Sequence, residues 1–251
     1  MIPAQDIPIV VFLALALVFE GLERLRPARE VNRWKDLKTD LLSFAFAVAI
    51  NRLCDWGITG WMQSHLPERL VASMSDVRAL PSVAKIALAL VVADFTIYWI
   101  HRAQHRFDVL WRTHAWHHSI EEMYWFAGFR TSFTHSFLYN IPQATIPMLF
   151  FGLGTFETTI AFAIGMLVQF WEHTNLRVNL GPLAWVFITP QYHRVHHSAS
   201  DLCRTNLGTT FSVWDRMFGT YTDPRTVSPT TKLGLGETIE GKRLPRMWVG
   251  V

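Results

Sequence analysis

Long apolar runs with few charged residues constrain the fold of this chain more than any other feature of its sequence. Residues 7–19 carry no charge, and the run extends to about Leu25, which gives the ~20 residues that one helix needs to cross a bilayer. Two similar runs follow at residues 41–61 and 81–100. Because lipid offers no hydrogen-bond partners to the backbone, these runs predict transmembrane helices.

The apolar character returns at residues 136–156 and 158–171, and Gly152 and Gly154 stand near the boundary between them. Glycine at such a boundary favours a tight turn, so the two runs predict a helical hairpin. Each arm is short for a full crossing, which leaves the number of crossings at four or five. Together the runs predict an all-α integral membrane bundle of four to five transmembrane helices.

The overall composition agrees with a membrane protein and excludes several other classes. Half of the residues are hydrophobic, 17% are charged and the net charge is +3, which excludes a disordered chain and a nucleic-acid-binding surface. Cys54 and Cys203 form no C-x-x-C pair, so neither a thiolate zinc site nor a disulfide framework is expected. The first six residues lack a basic region, and we expect no cleaved signal peptide.

The distribution of Lys and Arg predicts the orientation of the bundle. The loop at residues 24–38 has six basic residues, whereas the loop at residues 62–80 has two. Because cytoplasmic loops carry the excess of basic residues, we expect residues 101–135 and 172–251 on the cytoplasmic side. The chain then divides into N-terminal transmembrane helices and loops at 1–80, a histidine-rich catalytic region at 81–221 and a polar tail at 222–251.

Histidine is the residue type that points to chemistry in this chain. Eight of the 11 histidines form three clusters with the spacing of one helix face. The clusters are His101 and His105, then His114, His117 and His118, and then His193, His196 and His197. His135 and His173 stand alone at the beginning and end of the predicted hairpin. Each cluster can aim its rings at one point, so the clusters predict a shared metal site in a cytoplasmic helical cap.

The number of imidazoles predicts two metal ions rather than one. A single zinc ion takes about four ligands, and the clusters offer more. Imidazole binds zinc, copper, iron and nickel alike, so the ligand type leaves the metal open. The position at a membrane surface favours iron, because activated oxygen attacks the C–H bonds of lipids. Neither the Glu-x-x-His pairs of carboxylate-bridged di-iron bundles nor the HExxH motif of zinc peptidases occurs.

Three other classes of membrane protein use histidines and remain as alternatives. A haem electron carrier would place axial histidine pairs inside the bundle. A metal transporter or sensor would need ligands along an intramembrane path, for which Asp94 and the pair of Arg52 and Asp55 are the candidates. A zinc-dependent hydrolase would need a recognisable general base beside its ligands.

Further residues surround the histidine clusters in a characteristic order. They are Asp94, Tyr98, Trp99 and Arg102 around the first cluster, Arg130, His173-Thr174-Asn175, Thr189-Pro190 before the third cluster, Asn206, Gly208, and the closing run from Trp214 to Thr220. This arrangement, over residues 94–221, resembles the fatty acid hydroxylase superfamily, which includes sterol desaturases and lipid hydroxylases. The short first cluster favours the hydroxylase and sterol desaturase branch over the acyl-CoA desaturases.

The resemblance implies a membrane di-iron enzyme that hydroxylates or desaturates a lipid with O2. The substrate class is a fatty acyl, sterol-like or ether lipid, and nucleic acid is not a partner. Two non-haem iron ions are implied, with electrons from a separate protein of cytochrome b5, ferredoxin or reductase type. The implied iron ligands are His101, His105, His114, His117, His118, His173, His193, His196 and His197, with His135 as a further candidate.

Asp94 lies seven residues before His101 on the same helix face, so it is a candidate for orienting a ligand ring in support of catalysis, with a pairing to Lys85 or another polar group as the alternative. Asp215 is the second candidate of this kind, with a turn-capping role as the alternative. Some members of the superfamily carry a further histidine at the position of Gln169, for which His135 could substitute. Outside this set, we expect His65 to be a surface residue. Arg102, Arg106 and Arg194 are expected at the membrane interface, where they hold lipid head groups or the electron donor, or simply anchor the chain.

Overall fold

Helices form the regular structure of the chain. The computed structural model describes residues 7–54, 57, 60–236 and 244–251, and within them there is no strand, only two isolated β-bridges. The α-helices are α1 (Ile7–Leu25), α2 (Leu37–Cys54), α3 (Gly60–His65), α4 (Glu68–Ser73), α5 (Ser75–Arg78), α6 (Ser82–Arg106), α7 (Asp108–His118), α8 (Phe133–Asn140), α9 (Ile146–Phe151), α10 (Thr155–His173), α11 (Pro190–His196), α12 (Val213–Phe218) and α13 (Leu244–Val249). The predicted all-α class is confirmed.

Helix α1 matches the first predicted run, and a buried charge near its end fixes its position. Glu23 is fully buried. Its carboxylate accepts hydrogen bonds from the backbone N–H groups of Trp125 and Asn175 and from the hydroxyl of Thr174. Arg33 donates to the second carboxylate oxygen at 2.9 Å. Because a buried carboxylate needs such partners, these bonds fasten α1 to the segments that follow α7 and α10.

Helix α6 carries the first histidine cluster at its end. Its 25 residues span about 37 Å at a rise of about 1.5 Å per residue. Pro81 precedes its first turn, and Phe107 ends it with an extended backbone. Of the described residues, only those of α6 form a helix long and apolar enough to cross a bilayer. His101 and His105 lie in its last two turns.

The predicted four to five crossings are therefore not confirmed beyond α6. Although α1 is apolar, it places Glu20, Glu23 and Arg24 in its last two turns. Helix α2 ends at Cys54, and part of the predicted run beyond it, including Asp55 of the expected pair with Arg52, lies outside the described residues. The remaining crossings stay predictions.

The predicted helical hairpin is present, with an interrupted first arm. Helices α8 and α9 are separated by a π-helical segment at Ile141–Thr145. Pro142 has no N–H to continue the α-helical pattern there, which accounts for the interruption. Gly152 ends α9 with a left-handed φ of 58°, and Glu157 accepts a hydrogen bond from the N–H of Gly154 at 3.1 Å where α10 begins. The turn lies at the two predicted glycines.

The described end of the chain packs onto the helices of the histidine region. Helix α13 lies against α7 and α8. The ring of Trp248 lies 6.1 Å from that of Phe46 and 6.0 Å from that of Trp116, between centroids. The segment at 222–251 was predicted as a polar tail, and these apolar contacts show that its last residues are also part of the packed structure.

A buried ion pair joins α2 to the segment that follows α7. Arg130 is 4% exposed and Asp40 is fully buried. Nε and Nη2 of Arg130 donate to Oδ1 of Asp40 at 2.8 and 2.6 Å, and the hydroxyl of Tyr124 donates to Oδ2 at 3.0 Å. Asp36, at the edge, lies 3.2 Å from Nη2. The ion pair fixes the segment around Arg130, whose backbone carbonyl lies 3.1 Å from Nδ1 of His117.

We expect Asp40→Asn to destabilise the protein by about 3–5 kcal/mol, because it leaves the buried guanidinium of Arg130 without its principal counter-charge. Asp36→Asn is the matched control, since Asp36 is partly exposed and an exposed pair contributes about 0–1 kcal/mol. Thermal unfolding of both purified variants in detergent measures the difference. Equal unfolding midpoints would contradict the role assigned to Asp40.

Candidate metal centre

The histidine clusters converge at the ends of four helices. They come from α6 (His101, His105), α7 (His114, His117, His118), α10 (His173) and α11 with the residue that follows it (His193, His196, His197). Each of these nine side chains is at most 8% exposed. Histidines on a solvated surface would not show this burial, so the nine rings form one internal centre.

Five of the rings form a first group, which we call site A. Its members are His101, His105, His114, His118 and His196, and their ring nitrogens all lie within 4.8 Å of one another. Nε2 of His114 lies 2.9 Å from Nε2 of His101, and the Nε2 atoms of His118 and His196 are also 2.9 Å apart. Nε2 of His105 is buried and has no hydrogen-bond partner.

Four rings form a second group, which we call site B. Its members are His117, His173, His193 and His197. Nε2 of His173 lies 3.2 Å from Nε2 of His117 and 3.1 Å from Nε2 of His193. Nε2 of His197 lies 3.1 Å from Nε2 of His193. One ring edge of every member thus points to the same small volume.

Hydrogen bonds to backbone carbonyl groups show which ring nitrogens of site A carry lone pairs. Nδ1 of His101 lies 2.7 Å from the carbonyl oxygen of Leu207, and Nδ1 of His196 lies 3.0 Å from that of Thr205. A carbonyl oxygen only accepts hydrogen bonds, so Nδ1 carries the proton in both rings. In a neutral imidazole, Nε2 is then unprotonated and available to a metal.

The same pattern occurs in site B. Nδ1 of His117 donates to the carbonyl of Arg130, and Nδ1 of His173 donates to the carbonyl of Gln169, both at 3.1 Å. The bare Nε2 atoms of His117 and His173 therefore face each other with no proton between them. Their lone pairs repel unless a cation lies within reach of both.

The nitrogen separations in both sites fit metal coordination. Two metal–nitrogen bonds of about 2.0–2.1 Å, at octahedral or tetrahedral angles, place their nitrogens about 2.9–3.4 Å apart. The Nε2 separations of 2.9 Å in site A and 3.1–3.2 Å in site B lie in this range. Each group can hold one metal ion, and the imidazole donors suit iron as well as zinc, copper or nickel.

Burial keeps the imidazoles in the form that binds metals. It lowers the pKa of the histidine rings in α7 and around α11 well below the usual value, and neighbouring histidines lower it further. The rings are His114, His117, His118, His193, His196 and His197. A neutral ring needs to lose no proton from its ligating nitrogen when a metal binds.

Sites A and B are adjacent, and each draws ligands from several clusters. The rings of His118 in site A and His197 in site B stack with centroids 4.5 Å apart. The expectation that each cluster aims at a single point holds for His101 and His105, which both lie in site A. The second and third clusters are each divided, with His117 in the other site from His114 and His118, and His196 in the other site from His193 and His197.

His135 lies beside both sites without belonging to either group. Its Nδ1 is 2.9 Å from Nδ1 of His114, and its ring stacks on His114 and His117. Gln169 donates from Nε2 to the carbonyl of Gly128 at 2.7 Å, so its side chain binds a neighbouring segment. The assignment of His135 as a further ligand stays a prediction.

Asp215 acts on a loop rather than on a histidine ring. Its carboxylate accepts hydrogen bonds from the N–H groups of Leu207 and Gly208, both at 2.8 Å. The carbonyl of Leu207 in turn accepts from Nδ1 of His101. The expected direct contact with a ligand ring is therefore replaced by a contact through one peptide unit.

Asp94 binds the same loop a few residues later. It accepts from the hydroxyl of Thr209 at 2.7 Å, from the N–H of Thr210 at 2.8 Å and from Nε1 of Trp214 at 2.8 Å. Lys85, an alternative partner on α6, lies instead 3.4 Å from Glu157. Asp94 thus fixes the loop at residues 207–214 to α6, the helix that carries the first histidine cluster.

Glu172 is a residue of the centre that the sequence did not predict. Its side chain is buried, with one carboxylate oxygen 3.5 Å from Nδ1 of His173 and the other 3.9 Å from Nδ1 of His193. Oε2 of Glu172 and Nδ1 of His193 have no hydrogen-bond partner. Because Nδ1 of His193 has no other partner, we expect Glu172 to orient this ring when a metal is bound. No spacing in the sequence distinguishes Glu172 from an ordinary residue at a helix end.

Gly128 is a second residue without a sequence signal. A Cβ atom at this position would lie 2.5 Å from Cγ and Nδ1 of His173. The short helical turn at Ala127–Phe129 can therefore approach the ring of His173 only with glycine at its centre.

Comparisons with known proteins agree with this geometry. A family model described as fatty acid hydroxylase matches residues 86–220, more than half of the chain. The chain belongs to the fatty acid hydroxylase family. The matched region of this family member begins within α6 and ends just after α12, so it contains all nine histidines of sites A and B.

Three relatives illustrate the range of the family. An alkylglycerol monooxygenase from Xenopus tropicalis is 40% identical over 53% of this chain and 30% of its own length. An ornithine lipid hydroxylase from Rhizobium tropici is 32% identical over 64% of this chain and 49% of its own length. A human lathosterol oxidase is 28% identical over 64% of this chain and 53% of its own length. The chain thus spans 30–53% of these relatives, and no solved structure matches it.

Gly128→Ala is expected to displace the ring of His173 and to remove the metal of site B. Gly165→Ala is the matched control, because Gly165 lies in α10 with open space around its Cα. Elemental mass spectrometry of the purified proteins should give about one metal per chain for Gly128→Ala and about two for Gly165→Ala. Full metal content in Gly128→Ala would contradict the requirement for glycine next to the ring of His173.

Glu172→Gln is expected to weaken metal binding at site B about 10–100-fold, the usual effect of losing a carboxylate partner of a ligand histidine. Competition with a chelator measures the affinity, and the electronic spectrum of the cobalt-substituted protein reports the ligand geometry. Glu121→Gln is the control, since Glu121 is half exposed and pairs with Lys35. An unchanged cobalt spectrum and affinity in Glu172→Gln would exclude an orienting role.

Proposed function

We propose that this chain is a membrane-bound di-iron oxygenase that hydroxylates a C–H bond of a lipid with O2 and electrons from a separate protein. One observation carries the proposal: two adjacent, buried groups of neutral imidazoles direct bare nitrogens at two points. The names of the relatives, a monooxygenase, a hydroxylase and an oxidase of lipids, support the reaction class.

The proposed iron ligands are the nine histidines of sites A and B, with His135 as a candidate for a further position. Iron bound there would supply oxygen activation, the chemistry that attacks an unactivated C–H bond. The protein holds and orients the ligand rings through the carbonyls of Leu207, Thr205, Arg130 and Gln169. Asp94 and Asp215 are positioning residues, because they act through the loop at residues 207–214.

Exposed apolar side chains support a lipid environment next to the centre. On α6, Val83 is 80% exposed and Leu88 is 41% exposed, and on α1, Leu13 and Leu17 are 54% and 76% exposed. Apolar surface of this extent is stable against lipid tails rather than against water. We propose that the centre, at the end of α6, faces the cytoplasm and receives a lipid chain from the bilayer.

The relatives also support a substrate class rather than one lipid. Their names refer to alkylglycerols, ornithine lipids and lathosterol, which share apolar chains or rings but no head group. We propose hydroxylation ahead of desaturation, because the relatives from Xenopus tropicalis and Rhizobium tropici, both more than 30% identical to this chain, are a monooxygenase and a hydroxylase by name. The electron donor is proposed to be a cytochrome b5, ferredoxin or reductase.

The iron-loaded protein is expected to hold about two irons per chain, to show no Soret band and to transfer one 18O atom from 18O2 to a lipid when a reductant and donor are supplied. His196→Ala removes a ligand of site A and His117→Ala removes a ligand of site B. Each variant should retain about one iron and lose 18O incorporation by more than about 100-fold. Elemental and lipid mass spectrometry provide the two measurements.

His65→Ala is the control for these variants, because His65 is exposed and its ring stacks on Trp61, outside both sites. It should retain iron and activity. Full iron content and activity in His117→Ala or His196→Ala would overturn the proposal, as would folded protein that binds no metal. A Soret band would favour the alternative of a haem electron carrier.

A further inference from the structure

A cleft lined by arginines lies beside α11, outside sites A and B. Its walls are the turn after α1, the segment that follows α10, one face of α11 and the segment at residues 224–231. The residues that matter for its chemistry are Arg177, Arg194, Gln191 and Thr231. Arg29 reaches the same place, since its Nη1 donates to the carbonyl of Thr231 at 3.3 Å.

Positive charge accumulates in this cleft. Arg177 and Arg194 line it, and Arg29 reaches it through its hydrogen bond to the carbonyl of Thr231. Three guanidinium groups in one place repel one another, and such groups are normally found next to an anion. An anion in the cleft would therefore be stabilised by these three groups.

Two carboxylates near the cleft have partners of their own. Glu23 attracts Arg194, but its carboxylate already binds Arg33, Thr174 and two backbone N–H groups. Asp223, at the start of the neighbouring segment, pairs with Arg225 at 2.6 Å. Both carboxylates are thus engaged elsewhere.

The guanidinium of Arg194 also has unused hydrogen-bonding capacity. Its Nη2 donates to the carbonyls of Thr174 and Leu176 at 3.1 and 3.4 Å, which fixes the plane of the group. Its Nε is buried and has no hydrogen-bond partner. A buried donor without a partner costs free energy, and a tetrahedral oxyanion in the cleft would supply acceptors to it and to Arg177.

The position of the cleft indicates where the anion comes from. Arg29 lies four residues after Leu25, the 79%-exposed apolar end of α1. We proposed above that the exposed apolar side chains of α1 face lipid, and on that proposal the cleft lies at the level of the lipid head groups, where basic residues bind anionic lipids. We propose that the cleft formed by Arg29, Arg177 and Arg194 binds the phosphate group of an anionic phospholipid.

This site is distinct from the metal centre. Helix α11 carries His193 and His196 to sites B and A, whereas Gln191 and Arg194 line the cleft. Binding of the phosphate group needs no metal, so its test is independent of the proposed oxygenase activity. A bound head group would fix α11 from one side while the metals fix it from the other.

The test measures binding of dioctanoyl phosphatidic acid, dioctanoyl phosphatidylcholine and inorganic phosphate to the full chain in an uncharged detergent. Phosphatidic acid is expected to bind at least tenfold more tightly than phosphatidylcholine, with an affinity that falls as salt is added. Arg177→Gln should weaken its binding about tenfold, the usual effect of losing a hydrogen bond to a charged group. Isothermal titration calorimetry gives the affinities.

Arg69→Gln is the matched control, because it removes the same charge from an exposed arginine on α4 that does not line the cleft. Arg177 is exposed, so Arg177→Gln leaves the buried contacts of Arg194 intact and should fold. Tighter binding of phosphatidic acid than of inorganic phosphate supports the lipid as the source of the group, and equal affinities support free phosphate at the same site. If Arg177→Gln and Arg69→Gln bind phosphatidic acid equally, or if neither anion binds the unmodified chain, the proposal is overturned.

Discussion

The mutual repulsion of bare imidazole nitrogens is the constraint on which the rest of the structure depends. Nε2 of His117 and His173 face each other at 3.2 Å, and each ring is fixed in that orientation by a carbonyl group behind it. The fold must hold these carbonyls firmly enough to keep the lone pairs together until a cation binds. Two buried carboxylates support carbonyl groups of this kind: Asp40 binds the side chain of Arg130, whose carbonyl holds His117, and Asp215 binds the N–H of Leu207, whose carbonyl holds His101. The ion pair of Asp40 with Arg130 and the loop at residues 207–214 therefore help to hold the ligand rings in place.

The sequence predicted the elements that depend on local patterns. The first apolar run coincides with α1, and glycines mark the turn of the hairpin, because hydrophobicity and backbone freedom act over a few residues. The histidine spacing indicated eight of the nine rings in sites A and B, whereas His173 stands alone in sequence. It did not indicate how they divide, since His117 and His118 are neighbours in sequence yet lie in different sites. That division depends on which rings of other helices each histidine faces in the folded chain.

Residues that act at a distance in sequence could not be predicted in the same way. Gly128 is required because the ring of His173, 45 positions later, occupies the space of a Cβ atom. Glu172 stands next to His173 in the chain, but its relation to His193 arises only when α10 and α11 pack together. The number of membrane crossings also depends on contacts between distant parts of the chain. Helix α1 is apolar enough to suggest a crossing, yet the partners of its buried Glu23 come from segments a hundred or more residues away.

Helix α11 connects these features, and its shortness explains why it needs support from two directions. A helix of seven residues is not stable alone; Pro190 begins it, and the hydroxyl of Thr189 accepts a hydrogen bond from the N–H of Tyr192. One face supplies ligands to both metal sites, and Arg194 ties another to the backbone after α10. An anion bound to Arg194 would reduce the repulsion among the arginines and hold α11 in place. The geometry of the metal ligands would then depend on the lipid next to the protein, which would link the proposed site of oxidation to the membrane from which we propose its substrate comes.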